Sequence, residues 1–109
     1  MQKNIKNLII LNNDTISKAV RKLNLTGKKF LAVVNKKKKY VGSLTDSDIR
    51  RNILNNLNSS SNISKIYNTK SKFIYEKNYS QNTLRSFFDR YYLVDAVPIL
   101  NEDKTINRI

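Results

Sequence analysis

Between Gly42 and Arg51 the chain reads Gly-Ser-Leu-Thr-Asp-Ser-Asp-Ile-Arg-Arg, gathering two carboxylates, three hydroxyls and two adjacent guanidinium groups. Two close carboxylates suggest acid/base chemistry. Residues two apart on a helix diverge, however, and a carboxylate pair working across a substrate needs a defined gap. The same residue types suit a helix start: Thr45 can accept from the N–H three residues on, Asp48 can stand in for the Glu or Gln of a capping box, and Asp46 complements the positive end of the helix dipole. The chain contains no histidine and no cysteine. That removes disulfides, thiolate nucleophiles, the usual zinc ligands and the side chain that most readily moves protons near neutral pH. These absences speak against catalysis by this segment.

The elements that must position these residues follow from apolar periodicity. Leu8 to Leu11 is a short continuous apolar run, read as a strand covered on both faces. Asn12 to Thr15 supplies turn and cap residues, and Ile16, Ala19, Val20 and Leu23 keep helical spacing until Gly27. Phe30 to Val34 reads as a second buried strand and Tyr40 to Leu44 as a third, joined by the polar turn Asn35 to Lys39. A second helix starts near Thr45 and carries Ile49, Ile53, Leu54 and Leu57. After the polar linker Asn55 to Asn62 the order returns. Phe73 to Tyr75 matches the first strand at an offset of 65, Thr83 to Tyr91 the first helix, and Val97 to Asn101 matches Leu31 to Asn35 at an offset of 66. The second match requires one inserted residue in the intervening loop. This predicts an α+β fold of tandem β-α-β-β-α repeats, residues 1–57 and 58–109, the second incomplete at its C-terminus. Each copy of roughly fifty residues is too small to close a core alone, so the two are expected to pack on each other. Ile109 falls inside the third strand of the second copy, before its last helix. Either the segment was cut there or the native chain continues.

With 21 basic and 8 acidic residues the net charge is +13, a balance that ordinarily points to nucleic acid or an anionic membrane. Asn, Lys and Ile together make up 43 of 109 residues, however, and all three have A/T-rich codons, so base composition explains much of the lysine. The interleaving of aromatics and arginines found in single-strand binders is missing. Nucleic acid is therefore not the expected partner, whereas an anionic small ligand fits. The longest apolar runs are too short to cross a bilayer and the N-terminus lacks a secretory h-region, giving the expectation of a soluble, cytoplasmic protein without membrane contact. Lys36 to Lys39 reads as a solvated turn that adds to a positive field around a phosphate ligand. Phe87, Phe88, Tyr91 and Tyr92 are expected in the core, with any remainder free for a dimer interface.

The paired β-α-β-β-α units, the Gly-x-x-Thr-x-x-Asp element closing the first and the apolar-Pro-apolar-apolar-Asn strand of the second resemble a CBS domain pair, also called a Bateman module, over residues 5–109. More narrowly, Asn4-Ile5, Gly42 to Arg51 and Ile66-Tyr-Asn68 resemble the N-terminal CBS pairs of bacterial sugar-phosphate nucleotidyltransferases, which make nucleotide-activated sugars. Met1 just before the first strand suits an N-terminal module.

The resemblance implies a non-catalytic, regulatory and dimerising module that binds an adenine nucleotide (AMP, ADP or ATP) or S-adenosylmethionine, attached to a catalytic domain. By that match Thr45 would meet a phosphate, Asp48 would hold ribose hydroxyls, and Arg50 or Arg51 would lie near the phosphates. Gly42 would permit close approach of a ligand or backbone, and Leu31 and Ala32, or Val97 and Pro98, would touch the base. The chemistry is consistent. A helix starting at Thr45 turns N–H groups and its positive dipole end toward the loop, with Asp46 beside it, and guanidinium groups bind phosphate oxygens bidentately. A carboxylate is a paired acceptor for vicinal hydroxyls. The alternative is a ligand-free dimerisation scaffold in which the Thr45 element is only a cap. In the second copy Arg108 stands where the first has Gly42, and the Thr-x-x-Asp element has no counterpart before the last residue, so at most one competent site per chain is expected.

Overall fold

A computed structural model of the chain describes residues 5–54, 60–91 and 96–109. The readings placed on Asn4, Leu57, Tyr92 and residues 55–59 of the linker lie outside them.

A 3-10 turn, Ile5–Leu8, leads into strand β1 (Ile9–Leu11), followed by helix α1 (Ile16–Thr26), strands β2 (Phe30–Val34) and β3 (Tyr40–Thr45), and helix α2 (Asp46–Ile53). The sheet order is β1-β2-β3, with β1 parallel and β3 antiparallel to β2. Leu8 belongs to the turn rather than the strand, and β1 is covered fully on one face, by the first core at Ile10, and only in part on the other, where Ile9 packs against the second core. It is an edge strand in which only Ile10 is buried and Leu11 is 40% exposed. The central strand β2 is buried at all five positions, and pleating sends alternate side chains to two cores. Leu31 and Val33 join Ile10, Leu44 and the helix residues Ile16, Ala19, Leu23 and Ile49. Phe30 and Ala32 face the second repeat, meeting Tyr40 and Leu100 and the partly buried Phe73, Tyr75 and Ile106.

Helix α1 begins and ends where its sequence signals lie. The Thr15 hydroxyl accepts from the Lys18 N–H at 3.2 Å, and Gly27, at φ 67°, closes the helix by donating to the Leu23 carbonyl. Only the first turn of α2 sits against the core, through Asp48 and Ile49. Ile53 and Leu54 are therefore not core residues; they are 50% and 81% exposed.

The second repeat comprises strand β4 (Ile74–Tyr75), helix α3 (Gln81–Arg90) and strands β5 (Ile99–Leu100) and β6 (Ile106–Arg108) in a sheet of order β4-β5-β6. Its hairpin repeats the first in detail. The register shifts between Val33 and Val34 and again between Ile99 and Leu100, and Lys38 (φ 65°) and Lys104 (φ 70°) occupy the same left-handed turn position 66 residues apart. Gly42 pairs with Val33 as Arg108 pairs with Ile99, as the sequence alignment requires. The first strand differs by one residue from its expected match. Tyr75 faces Leu100 as Leu11 faces Val34, an offset of 64, and the extra residue is taken up by the 3-10 turn Glu76–Asn78 before α3. Helix α3 starts two residues earlier than its apolar pattern, because Ser80 and Thr83 form a reciprocal capping box. None of its residues is buried, so Phe87 and Phe88, and Tyr91 just beyond it, are half-buried rather than core.

The segment joining the repeats is anchored to the first. Ile63, fully buried, packs with α1 and α2, its N–H donating to the Asp14 carbonyl at 2.9 Å, and Ser43 and Asn68 exchange two backbone hydrogen bonds of 3.0 and 2.8 Å. Among the described residues no helix is long and apolar enough to cross a membrane.

Candidate functional site

The end of β3, the first turn of α2, the start of β2 and residues 68–72 enclose a cleft of about 410 Å³. Thr45, Asp46 and Ser47 form one wall, Lys29 and Phe30 another, and Asn68, Lys70, Ser71 and Lys72 a third. Ser43, Tyr91 and Ala96 complete the lining. The chain places these groups by packing. Residues 67–68 cross β3 at Gly42, where a Cβ would collide with the Asn68 carbonyl oxygen. The glycine thus admits the protein's own backbone, and that crossing delivers Lys70 to Lys72 to the cleft.

The wall at α2 is held internally. The Thr45 hydroxyl accepts from the Asp48 N–H at 3.2 Å, and Asp48 Oδ2 accepts from the Thr45 N–H at 2.9 Å, closing a capping box. Asp48 Oδ1 accepts from Arg51, and Arg50 donates to Asp46 Oδ2 at 2.8 Å. Both Asp48 oxygens are engaged within its own helix and the residue is 9% exposed. Asp46 Oδ1 is buried without a hydrogen-bond partner at the cleft wall. The Ser71 hydroxyl lies 2.6 Å from that of Tyr40, whose pKa burial raises above its usual value, partly offset by hydrogen bonding to Ser71 and Ser43. The Lys72 ammonium sits over the Tyr91 ring, 5.5 Å from its centroid. Three lysines against Asp46 make the cleft attractive to an anion, and the hydroxyls of Ser43, Thr45 and Ser71 offer neutral hydrogen bonds beside them.

Of the residues singled out from the sequence, Thr45 and Asp46 line the cleft. Asp48 and Arg51 are paired behind the cap, and the exposed Arg50 is tied to Asp46. Gly42 stands against Asn68, and Leu31 and Ala32 are fully buried in the two cores. Lys29, Phe30, Ser71 and the two lysines flanking it went unnoticed in the sequence. Their only signal was position, at the start of one strand and just ahead of another.

Exchanging the two repeats carries this cleft onto a second crevice of about 290 Å³, lined by Leu8, Phe30, Leu84, Phe88, Ala96 and Ile109 among others. There Arg108 takes the place of Gly42. Its guanidinium lies 4.3 Å from the Tyr79 ring centroid and bonds Glu76 at 3.1 Å. Among the described residues no group of three or more acidic side chains gathers to hold a metal ion.

The family profile described as "CBS domain" matches residues 1–55, half of the chain. The protein belongs to the CBS domain family. Comparison with curated proteins finds no match. Among solved structures, the CBS domain pair of MJ0100, in complex with 5′-methylthioadenosine and S-adenosyl-L-methionine, superposes with a TM-score of 0.77 at 19% identity, over 93% of this chain and 77% of that one. OpuCA of Staphylococcus aureus gives a TM-score of 0.75 at 16% identity, over 93% and 81%. The cytosolic domain of the Mg2+ channel MgtE, in complex with ATP, gives 0.75 at 15% identity, over 93% of this chain and 40% of that one. At these identities the likeness establishes a shared fold, that of a CBS pair with mixed α+β architecture.

Proposed function

We propose that this CBS pair is a regulatory module that binds an adenine nucleotide in the cleft beside Thr45. The supporting observation is the composition of that cleft: Lys29, Lys70 and Lys72 for phosphates, the hydroxyls of Ser43, Thr45 and Ser71 for polar contacts, and Phe30 and Ala96 as apolar surface for a base. CBS structures of the same fold, named in complex with ATP or with S-adenosylmethionine, support the ligand class. On this reading Thr45 meets a phosphate, and Asp46 Oδ1, buried and unpartnered, is an acceptor for a ribose or amino group. Asp48 reaches the ribose only if it exchanges Arg51 for the ligand, and Arg50 and Arg51 then turn to the phosphates. We further propose residues 1–57 and 58–109 as the two CBS motifs, and a cytoplasmic parent enzyme of the sugar-phosphate nucleotidyltransferase class whose catalytic domain the module regulates by linkage.

A second reading has its own support. Both oxygens of Asp48 are satisfied within α2, and Val20, Leu25, Ile53 and Leu54 leave apolar surface exposed on α1 and at the end of α2. These features favour a scaffold that homodimerises through its helices, and the two roles are compatible. Calorimetric titration with AMP, ADP and ATP separates them. Sensing predicts one site per chain, weakened about 10- to 100-fold by Lys70→Gln/Lys72→Gln through loss of charge-assisted hydrogen bonds. No heat with any of the three, together with a dimer that survives dilution, supports the scaffold alone.

A further inference from the structure

Away from Thr45, a groove of about 610 Å³ runs between α1, the free edge of β1 and the β5–β6 hairpin. Ile9, Leu11, Val34 and Ile106 give it an apolar floor. Its rim carries Lys6, Lys18, Lys22, Lys36 and Lys38, with Asp14 the one acidic residue of the lining. These lysines come from three separate segments: the first 3-10 turn, α1 and the β2–β3 turn.

Two of them have partners along the groove. Lys22 Nζ donates to the Lys6 carbonyl at 3.1 Å, and Lys18 Nζ lies 3.5 Å from the Asp14 carboxylate. Burial, and after it repulsion from Lys18, lower the Lys22 pKa, while Asp14 acts in the opposite sense. Like charges one helical turn apart destabilise each other. An anion between them relieves that repulsion.

Lysine is common in this chain, and the second repeat supplies an internal control. Were the cluster a product of composition, the equivalent positions would be equally basic. They are not: Lys18 corresponds to Thr83, Lys22 to Phe87 and Lys36 to Glu102, while Lys6 and Lys38 have the lysine counterparts Lys70 and Lys104.

We propose that this groove is a separate anion site, taking a small molecule that carries two or more linked phosphates on an apolar or ring-bearing scaffold. The lysines meet the phosphate oxygens as point charges, and the floor receives the scaffold. The site shares no lining residue with the cleft at Thr45 and does not depend on the reading given there.

The test is a titration of the purified chain with inorganic tripolyphosphate, followed by backbone amide shifts. Wild type is expected to respond at Lys18, Lys22 and Lys36 to Lys38. Lys18→Gln/Lys22→Gln/Lys36→Gln should weaken that response about tenfold or more. A control of equal charge change on exposed residues outside the groove, Lys65→Gln/Lys77→Gln/Arg85→Gln, should stay within about twofold of wild type. Lys70→Gln/Lys72→Gln should leave the groove's response intact, so failure at either cleft is read separately. Equal losses in the groove and control variants, or no response at the groove amides in wild type, would overturn the proposal. A nucleoside triphosphate binding the groove no tighter than tripolyphosphate would remove the role given to the floor.

Discussion

Residues 9–53 and 74–108 trace the same path through their strands, with the same bulge and the same left-handed lysine in the hairpin turn, yet they bury their helices to different depths. Helix α1 presses Ile16, Ala19 and Leu23 into a core closed on its other side by α2 and Ile63. Helix α3 carries a comparable apolar stripe in Leu84, Phe87 and Phe88 and buries none of it. The local pattern is therefore not what distinguishes the repeats. The difference lies in what the rest of the chain lays against each one. The joining segment, residues 60–72, packs on the first repeat and also supplies Lys70, Lys72 and Ser71 of its cleft. One segment thus closes the first core through Ile63 and Ile66 and lines the cleft through Lys70 to Lys72.

That contrast can be broken experimentally, and the largest effect is expected in the helices. Ile16→Ala empties a site that is 2% exposed and should destabilise by about 2–5 kcal/mol, whereas Leu84→Ala on the half-buried face of α3 should fall below about 1 kcal/mol. Chemical denaturation of both variants checks this, and similar losses would mean that α3 is as well packed as α1. The next pair lies at equivalent strand positions. Gly42→Ala forces a Cβ against the Asn68 carbonyl, a backbone atom that cannot rotate away, and should destabilise by about 1–3 kcal/mol. Arg108→Ala removes an exposed ion pair with Glu76 and the contact of its guanidinium with the Tyr79 ring, and should cost no more than about 1 kcal/mol. The smallest contrast in stability belongs to the helix caps. Thr45→Ala and Ser80→Ala each lose one side-chain cap and should each cost about 1 kcal/mol. Only Thr45→Ala should also diminish the rise in melting temperature produced by nucleotide, which sharpens the comparison from stability to binding.

Much of this architecture was legible from the chain. Thr15 and Gly27 bracket α1 because a hydroxyl and a left-handed glycine solve the two ends of a helix locally. The 66-residue offset that set Arg108 against Gly42 emerged from the match of Val97–Asn101 to Leu31–Asn35 and holds in the paired registers. What the sequence hid depends on non-local packing. A run such as Leu8 to Leu11 cannot say that its strand lies at an edge, and the spacing of Ile53 and Leu54 cannot say that the core ends one turn earlier. The cleft was half legible. Thr45 and Asp46 stand in an identifiable motif, but Lys29, Lys70 and Lys72 meet only because the chain crosses itself at Gly42. Asp48, the residue to which the motif assigns the ribose, is instead engaged by Thr45 and Arg51.

The most direct measurement is a titration of the isotope-labelled chain with ATP, read at every assigned backbone amide. Saturable shifts are expected at Lys29, Ser43, Thr45 to Ser47 and Lys70 to Lys72, with an affinity about 10- to 100-fold weaker in Lys70→Gln/Lys72→Gln. Saturable shifts confined to the crevice around Leu84, Phe88 and Ile109, or the absence of any saturable response at Thr45 to Ser47, would contradict it.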